Sequence, residues 1–130
     1  VSKLYVPSGF SFNEFFESIV SFSDVMQHNK YMNNFDYHQA LYLLNRQRFL
    51  TNNFLIVMEE MSLASPVAVL HYEYYDNEEI LRSTLKSLDN ELQCIVGKNW
   101  PVSPGQAQFP VISDYADGVD TRAFLASLSN

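Results

Sequence analysis

Two apolar runs near the middle of the chain, residues 54–58 (FLIVM) and 67–72 (VAVLHY), restrict its fold more than any other feature. Neither alternates polar with apolar side chains, so neither suits a sheet with one wet face; a continuous apolar strand has to be covered on both sides. The covering layers must be helices, and the flanking sequence supplies them. Ser11 with Glu14 forms a capping box, after which Phe12, Phe15, Phe16, Ile19 and Val20 fall on one helical stripe. Asn33, Asn34 and Asp36 each suit the cap of a second helix ending near Asn45, with Tyr37, Leu41 and Leu44 as its expected inner face. Asp76 with Glu79 starts a third, whose stripe is Leu81, Leu85, Leu88 and Leu92.

Residues 2–6 form a further strand, closed by the turn residues Pro7, Ser8 and Gly9, and residues 93–97 (QCIVG) a buried one ended by Gly97. A loop is expected over residues 98–106 around Trp100, and a last helix from near Asp120 that buries Phe124, Leu125 and Leu128. Strands separated by helices predict an α/β fold, a layered and mostly parallel sheet with flanking helices, in a single domain over residues 1–130.

Composition narrows the partners. At 130 residues and 47% hydrophobic the chain can bury a sizeable core. A net charge of −7 with only 8 Lys and Arg gives no basic field to gather phosphates, so neither nucleic acid nor an anionic membrane surface is an expected partner. No apolar run approaches the ~20 residues of a membrane span, so no membrane insertion is expected. The single cysteine, Cys94, allows no internal disulfide and points to a reducing, cytoplasmic setting. The chain opens at Val1 directly on a strand-like run, as a piece of a longer protein would.

Few constellations carry chemistry. His28, His38 and His71 lack the spacing of a zinc site and suit surface or core-edge positions. Asp114, Asp117 and Asp120 recur every three residues, yet a calcium loop starting at Asp114 would need ligands where Ala116, Gly118 and Leu125 stand. Caps and turns explain the aspartates better: Asp117-Gly118 is a turn pair and Asp120 a helix cap. Gln93, Ile95 and Val96 surround Cys94 as a buried strand would, which favours a structural thiol over a nucleophile. The glycines are too scattered to cradle phosphate, and no Ser-centred elbow is present. Tyr72, Tyr74 and Tyr75 suit sheet packing, with a small-ligand platform as the alternative. Glu59 and Glu60 leave the run at 54–58 at its carboxyl end, where open α/β sheets place ligands.

The segments VSKLYVPSGFSFNEFFESI, SPVAVLHYEYYD, DNELQCIVG and, most specifically, GQAQFPVISDYADGVDTRAFL together resemble the C-terminal part of the bacterial LuxC-type acyl-CoA reductases, a branch of the aldehyde dehydrogenase superfamily. The resemblance implies the C-terminal half of an aldehyde dehydrogenase-like catalytic domain. Such an enzyme takes the acyl group of an acyl-CoA substrate onto a cysteine and reduces the thioester to an aldehyde with NADPH. Aligned on that pattern, the nucleophilic cysteine lies upstream of Val1 and Cys94 does not inherit its role, so no catalytic residue is expected here and the chain alone should neither turn over nor bind NADPH. Glu59 or Glu60 would correspond to the glutamate that contacts the nicotinamide ribose, although Ala64-Ser65 stands where the superfamily has Phe-Gly ahead of Pro66. A homo-oligomer, or union with a missing N-terminal portion, is the implied working form. The competing expectation is a non-catalytic oligomerisation or protein-interaction module that keeps this half-fold.

Overall fold

Both apolar runs become strands at the centre of a four-stranded sheet. A computed structural model describes residues 1–110, 114–115 and 119–128; Asp117 and Gly118, expected to form a turn, lie outside the described residues. The chain divides into two units, Val1–Glu78 and Glu79–Asn130.

In the first unit the strands are β1 (Lys3–Pro7), β2 (Leu50–Thr51), β3 (Ile56–Glu59) and β4 (Val69–Tyr75), in spatial order β1-β4-β3-β2. β4 pairs in parallel with β1 and with β3, while the two-residue β2 runs antiparallel along β3. The sheet is therefore mixed, with a parallel core as expected and a short antiparallel edge that the sequence did not signal. The register sets Lys3 against His71 and His71 against Met58, so Lys3, Tyr5, His71, Glu73, Ile56 and Met58 share one face. Leu4, Val6, Leu70, Tyr72 and Val57 share the other.

Each face has its own helix. α1 (Phe12–Ser18) starts where the capping box placed it, with Ser11 Oγ accepting the Glu14 N–H at 3.3 Å. Its Phe12, Phe15 and Phe16 cover Val6, Val57 and Leu70, and Phe12 meets Tyr72 at 4.5 Å between ring centroids. The helix ends sooner than its stripe, and the chain continues as a 3-10 helix, Val20–Gln27, that leaves Val20 exposed. α2 (Asn29–Leu44) covers the opposite face. It begins ahead of the expected caps, at Asn29 after the N-cap His28, and Asn34, already inside the helix, donates its amide to Lys30 O one turn back.

The inner face of α2 also differs from expectation. Phe35 and Tyr42 are buried against Ile56, Met58, Ala68 and Val69, joined by Tyr31, whereas Tyr37 is 63% and Leu44 81% exposed. The helix carries two apolar stripes, and the sheet takes the bulkier aromatic one. His71, expected at the surface or core edge, is buried within β4, with its Nδ1 3.0 Å from Ser62 O.

In the second unit α3 (Glu78–Ser87) buries Leu81 and Leu85 as expected, then stops short of Leu88 and Leu92 at a 3-10 turn, Asp89–Glu91. The segment 93–97 is not a strand. It makes one bridge, Val96 to Val102, and Cys94 is exposed, because the five-residue run finds no second strand to complete a ladder. Trp100 folds back onto Gly97 under the Arg82 guanidinium, 4.4 Å from the ring centroid. α4 (Thr121–Ser127) starts at Asp120, whose carboxylate accepts the Arg122 and Ala123 N–H groups at 3.0 Å. It was expected to bury Phe124, Leu125 and Leu128; all three are exposed.

Candidate functional site

Ligand chemistry in an open α/β sheet belongs at the carboxyl ends of the parallel strands, and that edge holds the two glutamates singled out from sequence. Period-two alternation separates them. Glu59 ends β3 on the α1 side, exposed, paired in register with Tyr72. Burial first, then a hydrogen bond with Tyr74 and the nearby Glu59 charge, push the Tyr72 phenol up to about 12, so it stays neutral. Glu60 turns to the other side and is spent on its own loop: its Oε1 accepts the Met61 N–H at 2.8 Å and the Ser62 N–H at 3.4 Å, while its backbone N–H donates to Tyr72 O. Of the pair, Glu59 alone presents a carboxylate outward.

On the α2 face the same edge carries a polar cluster that sequence reasoning missed. Lys3 leans along the sheet so that its ammonium meets the Glu73 carboxylate at 2.5 Å and donates to Glu60 O. Its side chain is only 6% exposed, and the Tyr5 ring lies 5.5 Å from Nζ. Burial, with the Glu73 charge behind it, pushes the Tyr5 phenol up. Burial similarly raises Tyr42, aided by the Glu60 charge. No linear motif announces such a cluster; the available signal was alternation in KLYV, which places Lys3 and Tyr5 on one face. Chemically it is an ion pair that ties β1, β4 and the end of β3.

A sizeable opening lies elsewhere in this unit, along the 3-10 helix and the start of α2. It is an open groove of about 540 Å³ whose lining includes Phe22, Val25, Phe54 and Leu55 together with Tyr31 and Asp24. The Tyr31 hydroxyl donates to Phe54 O at 2.9 Å, and burial pushes that phenol up. A second hollow of about 320 Å³ shares Val25, His28 and Tyr31 and reaches Val67. The groove's walls are more apolar than polar. His28 and Asp24 border it, but His38 sits elsewhere, stacked on Tyr42 at 5.8 Å.

Asp120 acts as the expected cap: the Ala123 N–H first, then Tyr115 and the Arg122 N–H, hold its carboxyl below the ordinary value. Among the described residues no group of three or more His, Cys, Asp or Glu is placed to hold a metal ion, and no helix is long and apolar enough to cross a membrane. Compared with known proteins, the chain matches no family model, no curated protein and no solved structure. The acyl-CoA reductase resemblance gains no support from these comparisons.

Proposed function

We propose that the chain is a non-catalytic assembly module, whose work is done by surfaces that another protein surface covers. The observation that carries this reading is the apolar area left open: Tyr37 and Leu44 along the outside of α2, Phe22 at the groove, Val67 at the second hollow, Phe124 on α4 and Leu128 just past its end are each at least half exposed. Apolar surface and apolar grooves left open are where proteins meet partners. The polar groups at the carboxyl edge point the same way, since Lys3, Glu73 and Glu60 satisfy one another. Sedimentation equilibrium on the wild-type chain tests the reading: association is expected in the micromolar range, and a species that stays monomeric up to high concentration overturns it.

A second reading has one observation in its favour. Glu59 stands exposed at the carboxyl end of a central strand, where the acyl-CoA reductase resemblance would put the glutamate that meets the nicotinamide ribose. In that reading the chain forms one wall of the cofactor site in an NADPH-dependent enzyme whose cysteine comes from elsewhere, and Glu59 is preferred to Glu60. The native gene product would then reduce acyl-CoA thioesters, and Glu59→Gln in it would raise KM for NADPH with little change in stability. A native product with no such activity removes this reading.

A further inference from the structure

β1 lies at one edge of the sheet, with β4 on its inner side. The His71 N–H donates to Ser2 O at 3.0 Å in the register that sets Lys3 against His71. In a parallel ladder that bond turns the N–H and C=O of Leu4 and Val6 towards β4, and those of Lys3 and Tyr5 away from it. Among the described residues nothing bonds the outward groups of Lys3 and Tyr5. Open edges are commonly guarded by a charged side chain or a proline. Here the one charge on the strand is spent inward, because Lys3 reaches Glu73 and Glu60 O and its side chain is only 6% exposed. Pro7 guards only the last position of the strand.

We infer that β1 pairs antiparallel with β1 of a second copy, about a two-fold axis at Leu4, so that the sheet continues from one copy into the other. This rests on the assembly reading and gives it a contact, both halves of which belong to the first unit. Strand addition at an open edge is a recurring mode of association, and the register selects a second copy as the added strand. With Leu4 opposite Leu4, Lys3 of each copy faces Tyr5 of the other and the two exchange both bonds, so every outward group of Lys3 and Tyr5 is satisfied. An axis at Tyr5 would set Lys3 against Pro7, which has no N–H to return, and an axis at Lys3 would oppose like charges. The side chains agree with the Leu4 axis. Leu4, half-buried beside the α1 phenylalanines, gains the other Leu4, and the Lys3 ammonium, already 5.5 Å from its own Tyr5 ring, lies across from the second one. β1 carries no acid, so the net charge of −7 does not oppose the contact locally.

The experiment is amide hydrogen exchange on the full chain, at concentrations below and above its association as set by sedimentation velocity. The Tyr5 N–H should exchange about tenfold more slowly in the associated state, while those of Leu4 and Val6, held by β4 in both states, should change little. The axis is tested by oxidising Leu4→Cys in a Cys94→Ser background, which removes the exposed native thiol. A non-hydrogen-bonded antiparallel pair sets its Cα atoms about 4.5 Å apart, within the range a disulfide spans, so a covalent dimer should form. Ser2→Cys in the same background is the control, its two copies lying about 13 Å apart along the strands, and it should stay largely uncrosslinked. Association that leaves Tyr5 unprotected overturns the edge contact but leaves the assembly reading standing. Tyr5 protected already in the monomer also overturns the contact, since the chain would then cover this edge itself. Cross-linking of Ser2→Cys as readily as Leu4→Cys overturns the Leu4 axis. A wild-type chain that stays monomeric overturns both the contact and the assembly reading.

Discussion

Gly97→Ala is expected to destabilise the second unit by about 2 kcal/mol, through a clash that can be worked out atom by atom. A methyl at position 97 would lie 2.2 Å from Trp100 Cδ1 and 3.1 Å from Cγ and Nε1. Ordinary contact begins at 3.4 Å, so the indole must retreat by about 1.2 Å, the difference between 3.4 and 2.2. The backbone has little freedom to absorb this. Gly97 N–H donates to Val102 O at 3.0 Å, and Trp100 N–H donates back to Gly97 O at 3.3 Å. The ring also carries the Arg82 guanidinium over it, itself held by an Nη2 donation to Asn99 O at 2.9 Å. Forcing a methyl into a filled site costs about 1–3 kcal/mol, and a partly exposed cation–π contact contributes about 0.5–1 kcal/mol that the displaced ring would lose.

Trp100 is the only tryptophan, so its fluorescence reports this site without interference. Urea unfolding should show a lower midpoint for the alanine variant and an emission shifted towards that of exposed indole. A double-mutant cycle with Arg82→Gln sharpens the test: once the ring is displaced, removing the guanidinium should cost less than in the wild type. Equal midpoints and emission for wild type and Gly97→Ala, or strict additivity with Arg82→Gln, would refute the contact chain from glycine to arginine.

Two further predictions concern charge. Lys3→Met should cost about 1–3 kcal/mol by thermal or urea unfolding, discounted from the usual buried-pair penalty because the Glu73 side chain is 31% exposed; adding Glu73→Leu should recover most of the loss, and no recovery would mean that Lys3 acts chiefly through Glu60 O. The Asp120 carboxyl is held below its ordinary value of 3.8, so its support for α4 is complete above that value and is lost as pH falls through the lower folded-state one. Asp120→Asn, which keeps a capping oxygen, should flatten that acid transition in helix-sensitive circular dichroism, and an unchanged transition would assign it to other carboxyls.

What could be read from sequence was local. The caps at Ser11 and Asp120 are side chains bonding a backbone two or three residues away, and the central strands are runs whose apolarity needs no partner to be seen. Cys94 shows the limit: QCIVG has strand composition, but a strand exists only where another chain segment offers it a ladder, and composition does not reveal that. α2 shows a second limit. Tyr31, Phe35 and Tyr42 repeat at helical spacing as well as Tyr37, Leu41 and Leu44 do, so periodicity alone could not choose between the stripes. The choice belongs to the sheet face of Ile56, Met58 and Val69. The Lys3–Glu73 pair and the groove were invisible for the same reason, both being built from segments far apart in the chain.

The connection from β3 to β4 explains why the carboxyl edge holds so little open chemistry. Parallel neighbours are ordinarily joined through a dozen or more residues, usually with a helix; here residues 60–68, nine in all, suffice. So short a return must bond itself at every step. Glu60 caps the turn at Met61 and Ser62, Ser62 O meets His71 Nδ1, Ser65 Oγ donates to Val69 O at 2.7 Å, and Ala68 takes a φ of 65° to bring its carbonyl onto Ile56 N–H at 2.9 Å. Lys3 then fastens the start of that loop to β1 and to Glu73. The polar side chains that a longer crossover would leave free at this edge are therefore consumed in making the crossover short. That leaves Glu59, exposed on the opposite face, as the carboxylate of the pair that this loop does not use.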